Sequence, residues 1–112
     1  MRTNFNMEYQ NITMFRGDTL CFNAEVFDTD GDPVILDSAS FTCKKSVTSD
    51  NTFKKSLNNG ITQTDSIITV RVAPEDTKDV EAGNYYYDFE IGVGDDVFTI
   101  MSGMLTIEQD YS

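Results

Sequence analysis

Residues 83–91 constrain the fold more than any other part of the sequence. Apolar and polar side chains alternate along them, which is the pattern of a β-strand with one buried face. One face carries four large apolar side chains: Tyr85, Tyr87, Phe89 and Ile91. The other face carries Asn84, Tyr86, Asp88 and Glu90. Because a second layer would bury about 150–250 Å² of each aromatic side chain, the pattern predicts a central strand of a two-layer β domain.

Turn signals rich in Gly, Asp, Asn and Pro divide the rest of the chain into further short alternating stretches. Besides residues 83–91, the predicted strands are residues 10–14, 20–27, 40–47, 52–57, 67–72 and 97–107, and residues 34–36 are expected to be extended. A bend or bulge is expected at Ser102-Gly103, and Pro74–Thr77 should form a short helical turn. About seven strands with turns roughly 8–12 residues apart predict an all-β, antiparallel sandwich.

The length of 112 residues suits a single domain. We expect a flexible N-terminal arm at residues 1–9, the sandwich at residues 10–108 and a C-terminal tail at residues 109–112. Within the sandwich, Lys54 and Lys55 indicate that strand 52–57 lies at an edge of the sheet, where charged side chains discourage unwanted pairing.

The charge of the chain excludes several function classes. Eight Lys and Arg residues against 19 Asp and Glu residues give a formal net charge of −11, and there is no histidine. An acidic surface repels phosphate backbones, so nucleic acid is not an expected partner. Without histidine the commonest general base and metal ligand are missing. We therefore predict no enzymatic activity and assign no catalytic residue, no metal ligand and no cofactor.

The N-terminus has no apolar core of the kind that a signal peptide needs, and no apolar run is long enough to span a membrane. We expect synthesis in a cytoplasm and no membrane partner. Cys21 and Cys43 are then predicted to be free thiols. The strand alternation supports this, because Cys43 shares a face with Phe41, whereas Cys21 lies opposite to Phe22.

Several polar motifs are interpreted as structural rather than functional. Residues 16–18 read Arg-Gly-Asp, a cell-adhesion tripeptide in other settings, but a tight turn explains them. The three alternating aspartates of 28–32 resemble calcium ligands, yet the twelfth position of an EF-hand loop would be Ala39. An acidic hairpin tip is favoured there, with a weak calcium site as the alternative. The acidic pairs at 75–76 and 95–96 are interpreted as solvated turns.

Five residues are candidates for contact with a partner protein. Tyr86 and Phe98 have a parity that is opposite to the core pattern or ambiguous, so they should form an exposed apolar patch. The arm contributes Phe5, Met7 and Tyr9, which we expect to order on contact.

The order of several short motifs is similar to that of a known family. These motifs are Arg16-Gly17-Asp18-Thr19-Leu20, an Asp-Gly hairpin, Leu36-Asp37-Ser38-Ala39-Ser40-Phe41, Lys44-Lys45-Ser46, Pro74-Glu75-Asp76-Thr77, Gly83-Asn84-Tyr85-Tyr86-Tyr87-Asp88, and Val97-Phe98-Thr99-Ile100 running to Ser102-Gly103. Over about residues 10–108 the chain resembles the small immunoglobulin-like β-sandwich domains of phages and prophages of Gram-positive bacteria. It is similar in particular to the N-terminal domain of baseplate upper proteins and related tail or fibre components.

The resemblance implies an immunoglobulin-like sandwich in a virion, synthesised in the host bacterial cytoplasm. Its expected partners are other virion proteins, and a homo-oligomer is possible in such assemblies. In baseplate upper proteins the domain precedes receptor-binding segments, whereas this sequence ends at Ser112, so an accessory or connector role is expected. The alternative is a carbohydrate-binding or adhesion module of a surface or secreted protein.

Overall fold

The computed structural model describes residues 8–46 and 49–109. It contains one short helix, α1 (Pro74–Thr77), and the following strands: β1 (Glu8–Tyr9), β2 (Ile12–Phe15), β3 (Leu20–Glu25), β4 (Ser38–Lys44), β5 (Asn51–Leu57), β6 (Gly60–Thr64), β7 (Ile67–Val72), β8 (Gly83–Val93) and β9 (Asp96–Glu108). The predicted strand 83–91 is confirmed as the core of β8, the helical turn as α1, and the all-β class by the nine strands among the described residues.

The strands pair in the order β1-β9-β8-β4-β5-β6-β7-β3, and β2 also pairs with β9. This sheet folds over where β5 meets β6, because only two residue pairs join those strands. The ring of Phe22 on β3 then lies 5.6 Å from the ring of Phe41 and 6.1 Å from that of Phe89, on β4 and β8. The result is a front layer (β1, β2, β9, β8, β4, β5) packed on a back layer (β6, β7, β3).

A tyrosine corner marks the sandwich as immunoglobulin-like. In such folds a tyrosine near the start of a central strand bonds back to the backbone a few residues upstream. Here the Tyr85 hydroxyl, at the start of β8, donates to the carbonyl of Glu81 at 2.6 Å. The core beneath it includes the alternating inward-facing residues of β8 and β4 together with residues of both layers, so the predicted immunoglobulin-like fold is confirmed.

One strand is missing from the prediction. Residues 34–36 lie outside the named strands and are held by the side chain of Gln63, which accepts from the amide of Leu36 at 3.1 Å and donates to the carbonyl of Val34. Gln63 belongs to β6, a strand that the sequence does not predict because Ile61 is its only apolar residue. Within the predicted arm, the described residues Glu8–Tyr9 form β1.

The predicted edge position of residues 52–57 is correct only in part. β5 is the outer strand of the front layer and pairs with β4 along most of its length, but Ser56 and Leu57 at its end also pair with β6. Lys55 does not guard an edge; its ammonium is 3.0 Å from a carboxylate oxygen of Asp76 in α1. The same carboxylate oxygen accepts from the backbone amide of Ala73 at 2.7 Å, and the second oxygen accepts from Lys55 at 3.1 Å. This pair therefore ties β5 to the start of the helix.

The bulge in β9 lies earlier than predicted. Phe89 pairs with Met101 and Glu90 pairs with Thr99, so Ile100 is the extra residue, and no shift occurs at Ser102-Gly103. A one-residue bulge reverses which side chains face the core. As a result, the face assignment of residues before Ile100 is opposite to that of residues after it.

The two cysteines are free among the described residues, with Cys43 buried and Cys21 exposed, as predicted. Burial raises the pKa of the Cys43 thiol to about 12. Because the thiolate is the reactive form, we expect a thiol reagent at pH 8 to modify Cys21 rapidly and Cys43 only after unfolding. Rapid modification of two thiols per native chain would contradict the buried position of Cys43. A Cys21→Ser variant, expected to be inert until denaturant is added, is the control.

Candidate functional site

The outer surface of β9, β8, β4 and β5 is the broadest regular surface of the front layer. Inward-facing residues alternate along these strands, and on β4 and β8 they are buried. The residues between them form what we call the front face: Ser102 and Met104 on β9, Tyr86, Asp88 and Glu90 on β8, Ser40, Thr42 and Lys44 on β4, and Lys54 on β5. The front face is solvated in the isolated domain.

Tyr86 lies in the middle of the front face. It pairs with Met104 on β9 and with Lys44 on β4. Its side chain is 51% exposed, which is high for a large aromatic residue flanked by strands on both sides. Tyr86, Lys44 and Asp88 line a shallow depression of about 130 Å³. An aromatic residue in this position offers an amphipathic anchor of the type enriched at protein interfaces.

Charges on the front face are balanced and segregated. Asp88 and Glu90 form an acidic stripe on β8, whereas Lys44 and Lys54 form a basic stripe on β4 and β5. Thr42 separates the stripes, since it pairs with Asp88 on one side and Lys54 on the other. The whole chain carries a net charge of −11, so this face lacks the acidic excess of the rest of the molecule.

The structure separates the predicted contact residues. Phe98 pairs with Ile91 and is half-buried against the core, so it does not form an exposed patch with Tyr86. The bulge at Ile100 is the reason, because it turns the side chain of Phe98 to the inner face. Tyr9 is 78% exposed on β1, at the far side of β9 from Tyr86. The other two candidates, at positions 5 and 7, lie outside the described residues.

Sequence reasoning missed the lysines and carboxylates that surround Tyr86. The two carboxylates could have been found from the sequence, because Asp88 and Glu90 lie on the polar face of the predicted strand 83–91 together with Tyr86. What could not be deduced is that Lys44 pairs with Tyr86 and that Lys54 lies on the other side of Thr42 from Asp88. That depends on the pairing of β4 with both β8 and β5.

The Arg-Gly-Asp turn is bound to the domain rather than presented. The amide of Gly17 donates to the hydroxyl of the fully buried Thr77 at 2.9 Å. The guanidinium of Arg16 donates to the carbonyl of Val80 at 3.4 Å. These contacts join the turn to α1 and the residues after it, which supports the structural interpretation of the motif.

The acidic hairpin is organised by its own side chain. One carboxylate oxygen of Asp28 accepts from the amides of Asp30 and Asp32, at 2.9 and 3.0 Å. Across residues 8–46 and 49–109, no group of three or more potential metal-ligating side chains is brought together. The hairpin tip therefore has the geometry expected of a capped turn.

The comparisons with known proteins give one finding about shape. No family model matches the chain, and no curated protein matches it. Among solved structures, the chain is similar to an extracellular domain of the voltage-gated sodium channel beta4 subunit, at 12% identity and a TM-score of 0.44, over 98% of each chain. That domain is described as forming parallel homodimers with a role in cell–cell adhesion. In the part of this chain that the structure describes, no helix is long and apolar enough to cross a membrane.

Proposed function

We propose that this chain is a non-enzymatic binding domain that acts through protein–protein contacts at the front face, and that a second copy of the chain binds there. The observation that carries the proposal is the segregated charge of the front face around an exposed tyrosine. Elsewhere the acidic excess of the chain would make two copies repel each other. At the front face equal numbers of carboxylates and ammonium groups remove that obstacle.

The arrangement of the stripes suits a symmetric dimer. In a two-fold dimer the same surface of both copies meets itself. With the axis parallel to the strands and between β8 and β4, the acidic stripe of one copy would lie against the basic stripe of the other. Asp88 and Glu90 would then lie over Thr42 and Ser40 of the second copy, with Lys44 and Lys54 of that copy beside Thr42 and the two Tyr86 rings near the axis. Complementary charge of this kind fixes the register of an interface.

The size of the front face sets the strength of the contact. Four strands about 4.8 Å apart and about seven residues long give a surface of roughly 450 Å². A stable complex typically buries about 800 Å² on each partner. The contact is thus expected to be weak by itself and to gain strength where many copies are held together, as in an assembly.

Replacing Tyr86 with alanine is expected to weaken self-association by about 30-fold, corresponding to the ~2 kcal/mol of a central aromatic anchor. Sedimentation velocity over a concentration series measures this. The matched control is Phe15→Ala, which removes an aromatic ring that is 46% exposed at the end of β2 and should leave association unchanged. A wild-type chain that stays monomeric at every concentration, or equal association by Tyr86→Ala, would contradict the proposal.

The non-enzymatic part of the proposal rests on the chemistry of the candidate groups. The sequence contains no histidine to activate a nucleophile. Cys43 is buried with a raised pKa, and Asp76 is occupied by Lys55 and Ala73. Each of these groups has a structural role that accounts for it.

The resemblance of the sequence to phage baseplate and tail domains supports a virion structural role as the setting for this contact. The second candidate is an adhesion domain at a cell surface, which would make the same homotypic contact between cells. A sugar-binding platform receives less support, because Tyr86 and Phe98 lie on opposite faces of the front layer. The likeness to the beta4 domain, at a TM-score of 0.44, adds weight to neither setting.

A further inference from the structure

Strand β3 lies at an edge of the back layer. Within residues 8–46 and 49–109 the strand that pairs with it is β7 alone. The amide of Val26, which follows β3, donates to the carbonyl of Ser66 at 3.0 Å on the β7 side. Backbone groups of successive residues in a strand point to alternate sides. Those of Cys21, Asn23 and Glu25 therefore point away from β7 and can bond to a further strand.

The inward-facing side chains of β3 are incompletely covered. Leu20, Phe22 and Ala24 face the core but are only partly buried, and we call them the β3 stripe. The residues paired with them on β7 are fully buried: Val72, Val70 and Ile68. The difference follows from position, because β7 lies between β6 and β3, whereas β3 is the last strand of the described sheet. A strand added beside β3 would remove the β3 stripe from water.

The β3 stripe opens onto a cleft of about 930 Å³ between the two layers. β3 forms one wall, and residues 10–13 with Ile100 and Met101 form the other. Glu25 and Asp28 also line the cleft, whereas none of its described lining residues is a lysine or an arginine. Both acidic side chains lie toward the C-terminal end of β3. The cleft therefore has an apolar wall and an acidic end.

Charge decides which occupant fits this cleft. A second copy of the chain would bring a net charge of −11 toward Glu25 and Asp28, which disfavours the pairing of two β3 edges. A positively charged segment is attracted instead. An antiparallel strand beside β3 would begin opposite Glu25 and end opposite Leu20, so its positive charge belongs at its N-terminal end. Its apolar side chains belong at alternate positions, where they meet the β3 stripe.

We propose that the edge of β3 binds an extended segment of a partner protein, which adds antiparallel to β3. The segment carries lysine or arginine at its N-terminal end, beside Glu25 and Asp28, and alternating apolar side chains that cover the β3 stripe. Backbone hydrogen bonds supply affinity in this mode of recognition, and the alternate side chains supply specificity. The site lies on the back layer, so it is independent of self-association through the front face.

The peptide Lys-Lys-Val-Thr-Val-Thr-Val-Thr, acetylated and amidated at its ends, is a probe of this chemistry. Added to the full chain, it should give saturable NMR shifts along β3. At ten times the dissociation constant, the amides of Cys21, Asn23 and Glu25 are expected to exchange about tenfold more slowly. The amide of Val26, bonded on the other side of β3, is the internal reference. No saturable binding, or equal slowing at Val26 and Asn23, would overturn the proposal.

Altered peptides test which features of the segment are recognised. Glu-Glu-Val-Thr-Val-Thr-Val-Thr should bind at least about fivefold more weakly at low salt, because its charge opposes the acidic end of the cleft. In the antiparallel pairing the threonine amides face β3, so N-methylation of the threonines should abolish binding. N-methylation of the valines leaves those amides intact and should preserve binding. Equal binding by all of these peptides would show that neither charge nor strand pairing is recognised.

Variants of the chain locate the site. Glu25→Lys is expected to weaken binding of the lysine peptide about fivefold. Asp79→Lys makes the same change of net charge at an exposed position after α1 and should leave binding unchanged. Tyr86→Ala should also bind the peptide normally, which separates this site from the front face. Equal affinities for Glu25→Lys and Asp79→Lys would contradict the proposal. So would slower exchange of Asn23 at higher protein concentration without peptide, because the occupant would then be a second copy.

Discussion

Replacing Phe41 with alanine is expected to lower the free energy of unfolding by about 3–5 kcal/mol. Phe41 is fully buried, and its ring lies 5.2 Å from that of Tyr87 and 6.2 Å from that of Phe53. It also meets Phe22 and Phe89, so it joins the back layer to the front layer. Removing the ring leaves a cavity that rigid neighbours on two layers cannot fill. Urea denaturation monitored by tyrosine fluorescence measures the change.

The control for this prediction is Phe15→Ala, the variant that also serves the association experiment. Phe15 is nearly half exposed, so its loss should cost less than about 1 kcal/mol. If Phe41→Ala does not fold, Phe41→Leu keeps most of the volume and should lose about 1–2 kcal/mol. A loss at Phe41 no greater than that at Phe15 would contradict the description of Phe41 as the contact between layers.

The central strand, β8, was predictable because the pattern that defines it lies within its own residues. β8 alternates large apolar and polar residues, and each of Tyr85, Tyr87 and Phe89 is buried as the pattern requires. The same reasoning separated buried Cys43 from exposed Cys21. In these strands local preference and tertiary packing agree, so period-two alternation is sufficient evidence.

Other elements depend on contacts that are distant in sequence. β6 has one apolar side chain, Ile61, and its place in the sheet comes from pairing with β7 along residues 61–64. The extended conformation of residues 34–36 depends on the Gln63 side chain, 27 and 29 residues away in sequence. The residue pattern within β6 or within residues 34–36 does not predict the pairing with β7 or the Gln63 hydrogen bonds.

Part of the candidate site follows from local alternation, and part depends on contacts that are distant in sequence. Tyr86 could be recognised as an exposed aromatic residue from its parity in β8. Phe98 could not be placed correctly, because the extra residue at Ile100 inverts its face and no glycine or proline marks that position. The positions of Lys44 beside Tyr86 and of Lys54 beyond Thr42 can be assigned only once β4 and β5 are in register with β8.

The proposed self-association makes a sharper prediction for charge exchange across the front face. One variant carries Asp88→Lys and Glu90→Lys, and a second carries Lys44→Glu and Lys54→Glu. In each variant all four charges of the face have one sign, so two identical copies should repel each other by several kcal/mol and remain monomeric. A mixture of the two variants restores opposite charges across the interface. The mixed pair has the same total charge as a wild-type pair, so a difference between the two cannot come from a change in overall net charge.

Analytical ultracentrifugation of each variant alone and of their equimolar mixture is the most direct test of the front face as a homotypic contact. At low salt, where exposed charges are least screened, the account predicts monomers for each variant alone and a dimer in the mixture as strong as the wild-type dimer. Dimers of either variant alone, or a mixture that stays monomeric where the wild type dimerises, would contradict it.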